Sequence, residues 1–168
     1  MTVRYFPFLL AGLLSAALVV AQTDKKPIRV SQRLGIYATT QQNNFKLGAP
    51  VLLRITIKNF ASAPIRLIGI APEHDFELTV EDDAGKEPQR TELGIYLLHP
   101  TGGSSMLSRL MPQEEKQVVF EVTRVYQLTK PGNYIARFQR AVMADSEEQG
   151  KAFAERAFSL PIPFKIVE

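Results

Sequence analysis

At 168 residues the chain fits one domain. It is 45% hydrophobic and 22% charged, which excludes a chain disordered by composition. The net charge is only +3 with Lys and Arg scattered along the sequence, so no nucleic-acid footprint forms. The absence of cysteine excludes disulfides, a thiol nucleophile, a Cys-based zinc site and iron–sulfur ligation.

Arg4 gives a short positive start, and Phe8 to Val20 is an unbroken run of apolar and small residues. Val19-Val20-Ala21 sets small residues at the −3 and −1 positions of a cleavage site. The expectation is a signal peptide over 1–21, a polar linker over 22–27 and a folded domain over 28–168, exported to the periplasm or the extracellular space. The alternative is an uncleaved anchor, but the run is shorter than the ~20 residues that span a bilayer. No stable membrane span is therefore expected after cleavage.

Further along, Val30, Leu34, Ile36 and Ala38 fall at even spacing and predict one or two strands before the polar turn at Asn43, Asn44 and Gly48. Val51, Leu53, Ile55 and Ile57 alternate with Leu52, Arg54, Thr56 and Lys58, the clearest period-two strand of the chain. Ile65 to Ile70 is predicted as the next strand. Phe76, Leu78 and Val80 mark another, ended by the turn residues Asp82-Asp83-Ala84-Gly85. Gly94 to Leu98 and Met106 to Met111 read as strands separated by Pro100-Thr101-Gly102-Gly103. Gln117 to Val122 points Val118, Phe120 and Val122 inward.

Lys130-Pro131-Gly132 is a turn, and Tyr134, Ala136 and Phe138 share one face of the strand after it. A Tyr opening a late strand behind a Pro-Gly turn suits a tyrosine corner: ring in the core, hydroxyl on nearby backbone. Tyr134, Pro131 and Gly132 are thus structural candidates. Ala144 to Lys151 reads as a polar hairpin loop and Ala152 to Ala157 as at most one helical turn. Phe158, Leu160, Ile162, Phe164 and Ile166 share one parity in the last strand, with Pro161 and Pro163 on the other, the pattern of a protected edge.

These elements predict an all-β fold: an immunoglobulin-like antiparallel β-sandwich of seven to eight strands, with a lipocalin-type barrel as the alternative. Gly48-Ala49-Pro50-Val51, the strand end Ile55-Thr56-Ile57-Lys58-Asn59 and Leu128 to Tyr134 together resemble a broad class of bacterial exported immunoglobulin-like domains. The stretch from Asp75 to Lys86 is similar to a segment of the bacterial intracellular proteinase inhibitor family. That likeness implies a loop presented rigidly to a protease.

No catalytic constellation is legible. His74 lies between Glu73 and Asp75, but neighbours on a strand point to opposite faces, so three consecutive residues do not converge on one ion. His99 has no spaced partner. Ser104, Ser105, Ser108 and Ser146 lack the G-x-S-x-G setting of a nucleophile elbow. The acidic groups Glu81-Asp82-Asp83 and Asp145 to Glu148 lack the spacing of a Ca²⁺ loop. The expectation is no catalytic, metal or cofactor site. Ile95, Tyr96, Leu97 and Leu98 form the candidate partner-binding surface; such a run is either an exposed contact or a strand buried on both faces. The functional reading is a non-catalytic exported binding module for a protein or cell-envelope component. A proteinase inhibitor and a carboxylate-dependent hydrolase stand as alternatives.

Overall fold

The computed structural model describes residues 29–69, 72–99, 106–142 and 155–168. The leader and linker, the Thr101 to Ser105 loop and the Ala144 to Lys151 loop lie outside the described residues.

Alternating apolar residues make most of the fold, and the described chain is mostly β. The strands are β1 (Arg29–Val30), β2 (Leu34–Thr40), β3 (Asn44–Lys46), β4 (Leu52–Asn59), β5 (Ile65–Gly69), β6 (Glu77–Asp82), β7 (Met106–Leu110), β8 (Glu115–Glu121), β9 (Gly132–Val142), β10 (Glu155–Phe158) and β11 (Ile162–Val167). Two short helices, α1 (Pro72–Asp75) and α2 (Glu92–Tyr96), and a 3-10 turn at Val122–Arg124 interrupt them.

The eleven-residue β9 is the spine of a six-stranded sheet. β6 pairs with one edge of β9. β10 and β11 lie end to end along the other edge. Beyond them, β1 pairs with β10 and β3 with β11, both in parallel. A second sheet runs β2-β4-β8, and β5 with β7 forms a two-stranded third.

The inner faces of the two larger sheets share one apolar cluster. Leu53, Ile55, Ile57 and Phe120 come from one side; Leu78, Val80, Ala136, Phe138, Phe164 and Ile166 come from the other. Phe120 meets Phe138 edge-on at 5.1 Å, and Phe76 meets the same ring at 6.2 Å. Each such side chain, fully buried, stabilises the fold by roughly 1.5–3 kcal/mol. The buried Asn59 is fully used: its amide nitrogen donates to Ala63 O and Leu110 O, both at 2.9 Å, and its oxygen accepts from Ala61 N–H. It ties the end of β4 to the following turn and to β7.

Four expectations are corrected. There are eleven described strands rather than seven or eight, because short β1, β3 and β10 are separate pieces. The pairing is mixed rather than antiparallel, because β1 and β3 join the last two strands in parallel. Gly94 to Leu98 is not a strand; α2 covers most of it. Finally, Phe158 to Val167 is not one continuous edge strand. Phe158 sits opposite Gln139 and Ile162 opposite Ala136, so three residues face two across the gap. This one-residue bulge reverses the parity, as any register slip must. Ala157 is buried and Phe158 exposed, while Ile162, Phe164 and Ile166 are buried. β11 also has β3 outside it, but only from Lys165 to Val167, so Pro163 still stands where no strand needs its missing N–H.

Pro131 and Gly132 turn the chain into β9, with Gly132 opposite Ile166. The Tyr134 ring is buried and stacks on Phe164 at 5.6 Å. Its hydroxyl donates to Lys130 O at 2.8 Å. Tyr134→Phe leaves that carbonyl unpaired and is expected to lower stability by about 1–2 kcal/mol. Urea titration checks this, with an unchanged midpoint excluding the contribution.

Candidate functional site

The short apolar run Ile95 to Leu98 is presented by α2, not by a strand. Thr91 caps the helix: its hydroxyl accepts from Gly94 N–H at 3.0 Å and donates to Arg124 O. Backbone bonds from Thr91 N–H to Val125 O and from Gln127 N–H to Gln89 O pin the entering segment to the turn after β8. Gly94 packs so closely that a Cβ there would stand 2.2 Å from Val125 O. The helix is therefore held against the body, with Ile95 57% and Leu98 51% exposed, Tyr96 also exposed and Leu97 packed on the core. The Tyr96 ring meets His74 edge-on at 6.0 Å.

The three residues of Glu73-His74-Asp75 diverge. Glu73 is buried and pairs with Arg124, and His74 points to solvent. Asp75 pairs at 3.4 Å with Arg140, which is 5% exposed and lies 5.1 Å from the Phe76 ring centroid. Burial lowers the Arg140 pKa, and the Asp75 carboxylate opposes that shift. Among the described residues no group of three or more His, Asp or Glu is placed to hold a metal ion. Glu81 pairs with Arg137 at 2.6 Å, Asp82 accepts the backbone N–H groups of Ala84 and Lys86, and Asp83 accepts from Asn133.

Tyr126 is wholly buried. Its hydroxyl lies 3.0 Å from Leu78 O and also meets the Glu87 carboxylate, while the Arg90 guanidinium covers the ring at 4.7 Å. Burial first, then the bond to Glu87, push its phenol pKa far above the ordinary tyrosine value. Burial also raises Tyr134.

A further apolar groove is one the sequence did not announce. Val30, Ser31, Gln32, Leu34, Gly35, Ile36, Tyr37, Phe60, Phe158 and Leu160 line a groove of about 310 Å³. Five of these are exposed large apolar side chains: Val30, Tyr37, Phe60, Phe158 and Leu160, the last 82% exposed. Phe60 lies across the Gly35 backbone, where a Cβ would come within 2.6 Å of its ring, and meets Tyr37 edge-on at 6.4 Å. The bulge supplies the other wall. Ser159 spans it: its N–H donates to Phe138 O at 2.8 Å, and its hydroxyl accepts from Phe138 N–H and donates to Leu160 O. The backbone of β9 is thus satisfied while Leu160 is pushed outward.

Two strand edges border this groove. β2 is the outer strand of its sheet, paired only with β4 among the described residues. On the edge of β10 and β11 away from β9, β1 covers Glu155 and Arg156, and β3 covers Lys165 to Val167. No described strand pairs with the stretch between. Alternation alone ran one strand through Ser159-Leu160-Pro161 and so missed this wall of the groove.

No family model and no curated protein matches this chain. Among solved structures, a CARDB domain from Pyrococcus furiosus, crystallised with di-metal ions, is similar at TM-score 0.41 and 13% identity, over 80% of this chain and 92% of that one. A β-glucosidase from Listeria innocua reaches 0.43 at 13% identity, over 79% of this chain but 16% of its own. The alkylpurine DNA glycosylase AlkC from Pseudomonas fluorescens reaches 0.37 at 14%, over 83% of this chain and 32% of its own. At such scores and identities these likenesses assign neither family nor activity.

Two outcomes follow from the buried groups. Asp75→Ala takes the carboxylate from a buried guanidinium and is expected to cost about 3 kcal/mol in urea titration. The raised tyrosines favour the folded state fully below the unfolded tyrosine pKa, about 10, and that contribution is lost as pH rises beyond it. The urea midpoint is expected to fall between pH 9 and 11, and to fall less in Tyr126→Phe. An equal fall in both proteins excludes the Tyr126 contribution.

Proposed function

We propose that this chain is an exported, non-catalytic binding module, built as an immunoglobulin-like β-sandwich and working in the periplasm or outside the cell. The single observation that carries the reading is the groove between β2 and β10. Its ligand is an extended apolar segment of a protein partner. Such a segment matches the site in two ways. Exposed Val30, Tyr37, Phe60, Phe158 and Leu160 offer apolar contact, and the bordering strand edges offer backbone hydrogen bonds of the kind that strand addition uses. The lining carries hydroxyls on Ser31 and Tyr37 and an amide on Gln32, but no carboxylate or imidazole for proton transfer. Export is supported by the leader pattern of Arg4, Phe8 to Val20 and Ala21.

A second surface has its own observation. α2 is fixed by its cap and by the Val125 contact, yet holds Ile95, Tyr96 and Leu98 outward. Rigid presentation lowers the ordering cost of binding, so this helix suits a second protein contact.

The groove is tested by presenting arrayed apolar peptides to the processed chain, residues 22–168. Tyr37→Ala and Leu160→Glu alter exposed positions and are expected to shift stability by no more than about 0.5 kcal/mol. Both are expected to reduce peptide retention at least tenfold. Retention undiminished in both variants overturns the assignment of the groove.

A further inference from the structure

The third sheet sets two like charges directly opposite each other. β5 and β7 form an antiparallel ladder in which Ile65 faces Leu110 and Arg66 faces Arg109. Ile65 and Leu110 are fully buried, so the next pair along turns outward, and both arginines are exposed. Opposed side chains on such a ladder start about 4.5–5.5 Å apart at Cβ, and like charges so placed weaken the pairing. Two strands alone gain little to offset that repulsion. Lys116 brings a third positive charge to the same residue, since its ammonium donates to Arg109 O at 3.1 Å.

Other outward arginines of the sheets are relieved. Arg137 holds Glu81 and Arg156 holds Glu77, both at 2.6 Å. Arg54 is exposed on β4, but it stands between Thr39 and Val119 and meets no charge across its ladder. Arg66 and Arg109 have no ion-pair partner among the described residues. The acids that follow β7 are engaged with other groups. Glu114 accepts from Met111 N–H at 2.7 Å and lies 4.0 Å from Lys116 Nζ, and Glu115 pairs with Lys58 at 2.8 Å.

We propose that Arg66 and Arg109 together bind a phosphate monoester. Each guanidinium offers a planar fork of N–H donors that takes two oxygens. A carboxylate, with two oxygens and one charge, is filled by a single fork. A phosphate monoester carries three terminal oxygens and a charge of about −1.5 to −2 at pH 7, so it bridges two forks and cancels both charges. Bound there, it removes the repulsion that the two side chains impose on β5 and β7, so binding stabilises the fold. Neither arginine lines the apolar groove, and this site stands or falls independently of it.

The test uses the processed chain, residues 22–168, at low salt. Titration calorimetry with inorganic phosphate reads the free anion. Flotation with phosphatidylcholine vesicles carrying one-fifth phosphatidic acid reads the same group on a lipid. Binding is expected in at least one arm, and that arm names the source. Arg66→Gln and Arg109→Gln are each expected to weaken it at least fivefold. Arg66→Lys keeps the charge but loses the fork, and is expected to weaken it at least threefold. Arg54→Gln makes the same change of charge on the separate β2-β4-β8 sheet, and is expected to alter binding less than twofold. Stability gives a second readout. In chloride, Arg66→Gln is expected to raise the urea midpoint, whereas phosphate at equal ionic strength raises the midpoint of the native chain and not of the variant. Absence of binding in both arms overturns the proposal. So does an equal loss in Arg54→Gln, which reports net charge alone, or an Arg66→Lys chain that binds as the native one does.

Discussion

The constraint on which the structure depends is the need to cover both edges and the inner face of β9. Tyr134, Ala136, Phe138, Arg140 and Val142 all turn inward from it, and four of the five are apolar. One edge is met by β6 along six residues. The other is longer than any single described partner, and two short strands divide it. Where they meet, Ser159 replaces a regular ladder with two bonds to Phe138. The backbone of Phe138 therefore stays hydrogen-bonded across a change of register, as buried backbone requires.

That junction also shapes the surface. A regular strand would put Phe158, Leu160 and Ile162, all of one parity, on the same face, yet Ile162 is buried. The extra residue keeps Phe158 and Leu160 outside, lining the groove with Val30, while Gly35 leaves room for the Phe60 ring to approach β2 closely. The groove is thus a by-product of how the core is kept dry. Buried polar groups follow the same logic elsewhere: Asn59, Tyr126 and Arg140 each sit among apolar side chains with a partner in place.

The sequence revealed the elements whose period was local. β4, β6 and β9 each alternate cleanly, and their inward residues are those the alternation marked. The turn at Pro131 and Gly132 was equally legible, since turn chemistry acts over three or four residues. α2 was misread because five residues are too few to show a helical period. The better signal was Thr91, a capping residue three before Gly94. The groove was illegible because its walls come from residues 30–37, 60 and 158–160, brought together only by tertiary pairing. Parity pointed Phe158 and Leu160 inward, and nothing in a single strand records a register slip against its neighbour.

The parallel pairing of β1 with β10 and of β3 with β11 joins the beginning of the described chain to its end. Such contacts close loops of more than a hundred residues, the slowest kind to form. During synthesis β1 and β3 have no partners until the last residues have left the ribosome, whereas β2 can already pair with β4. The six-stranded sheet is therefore completed last, once the whole chain is out.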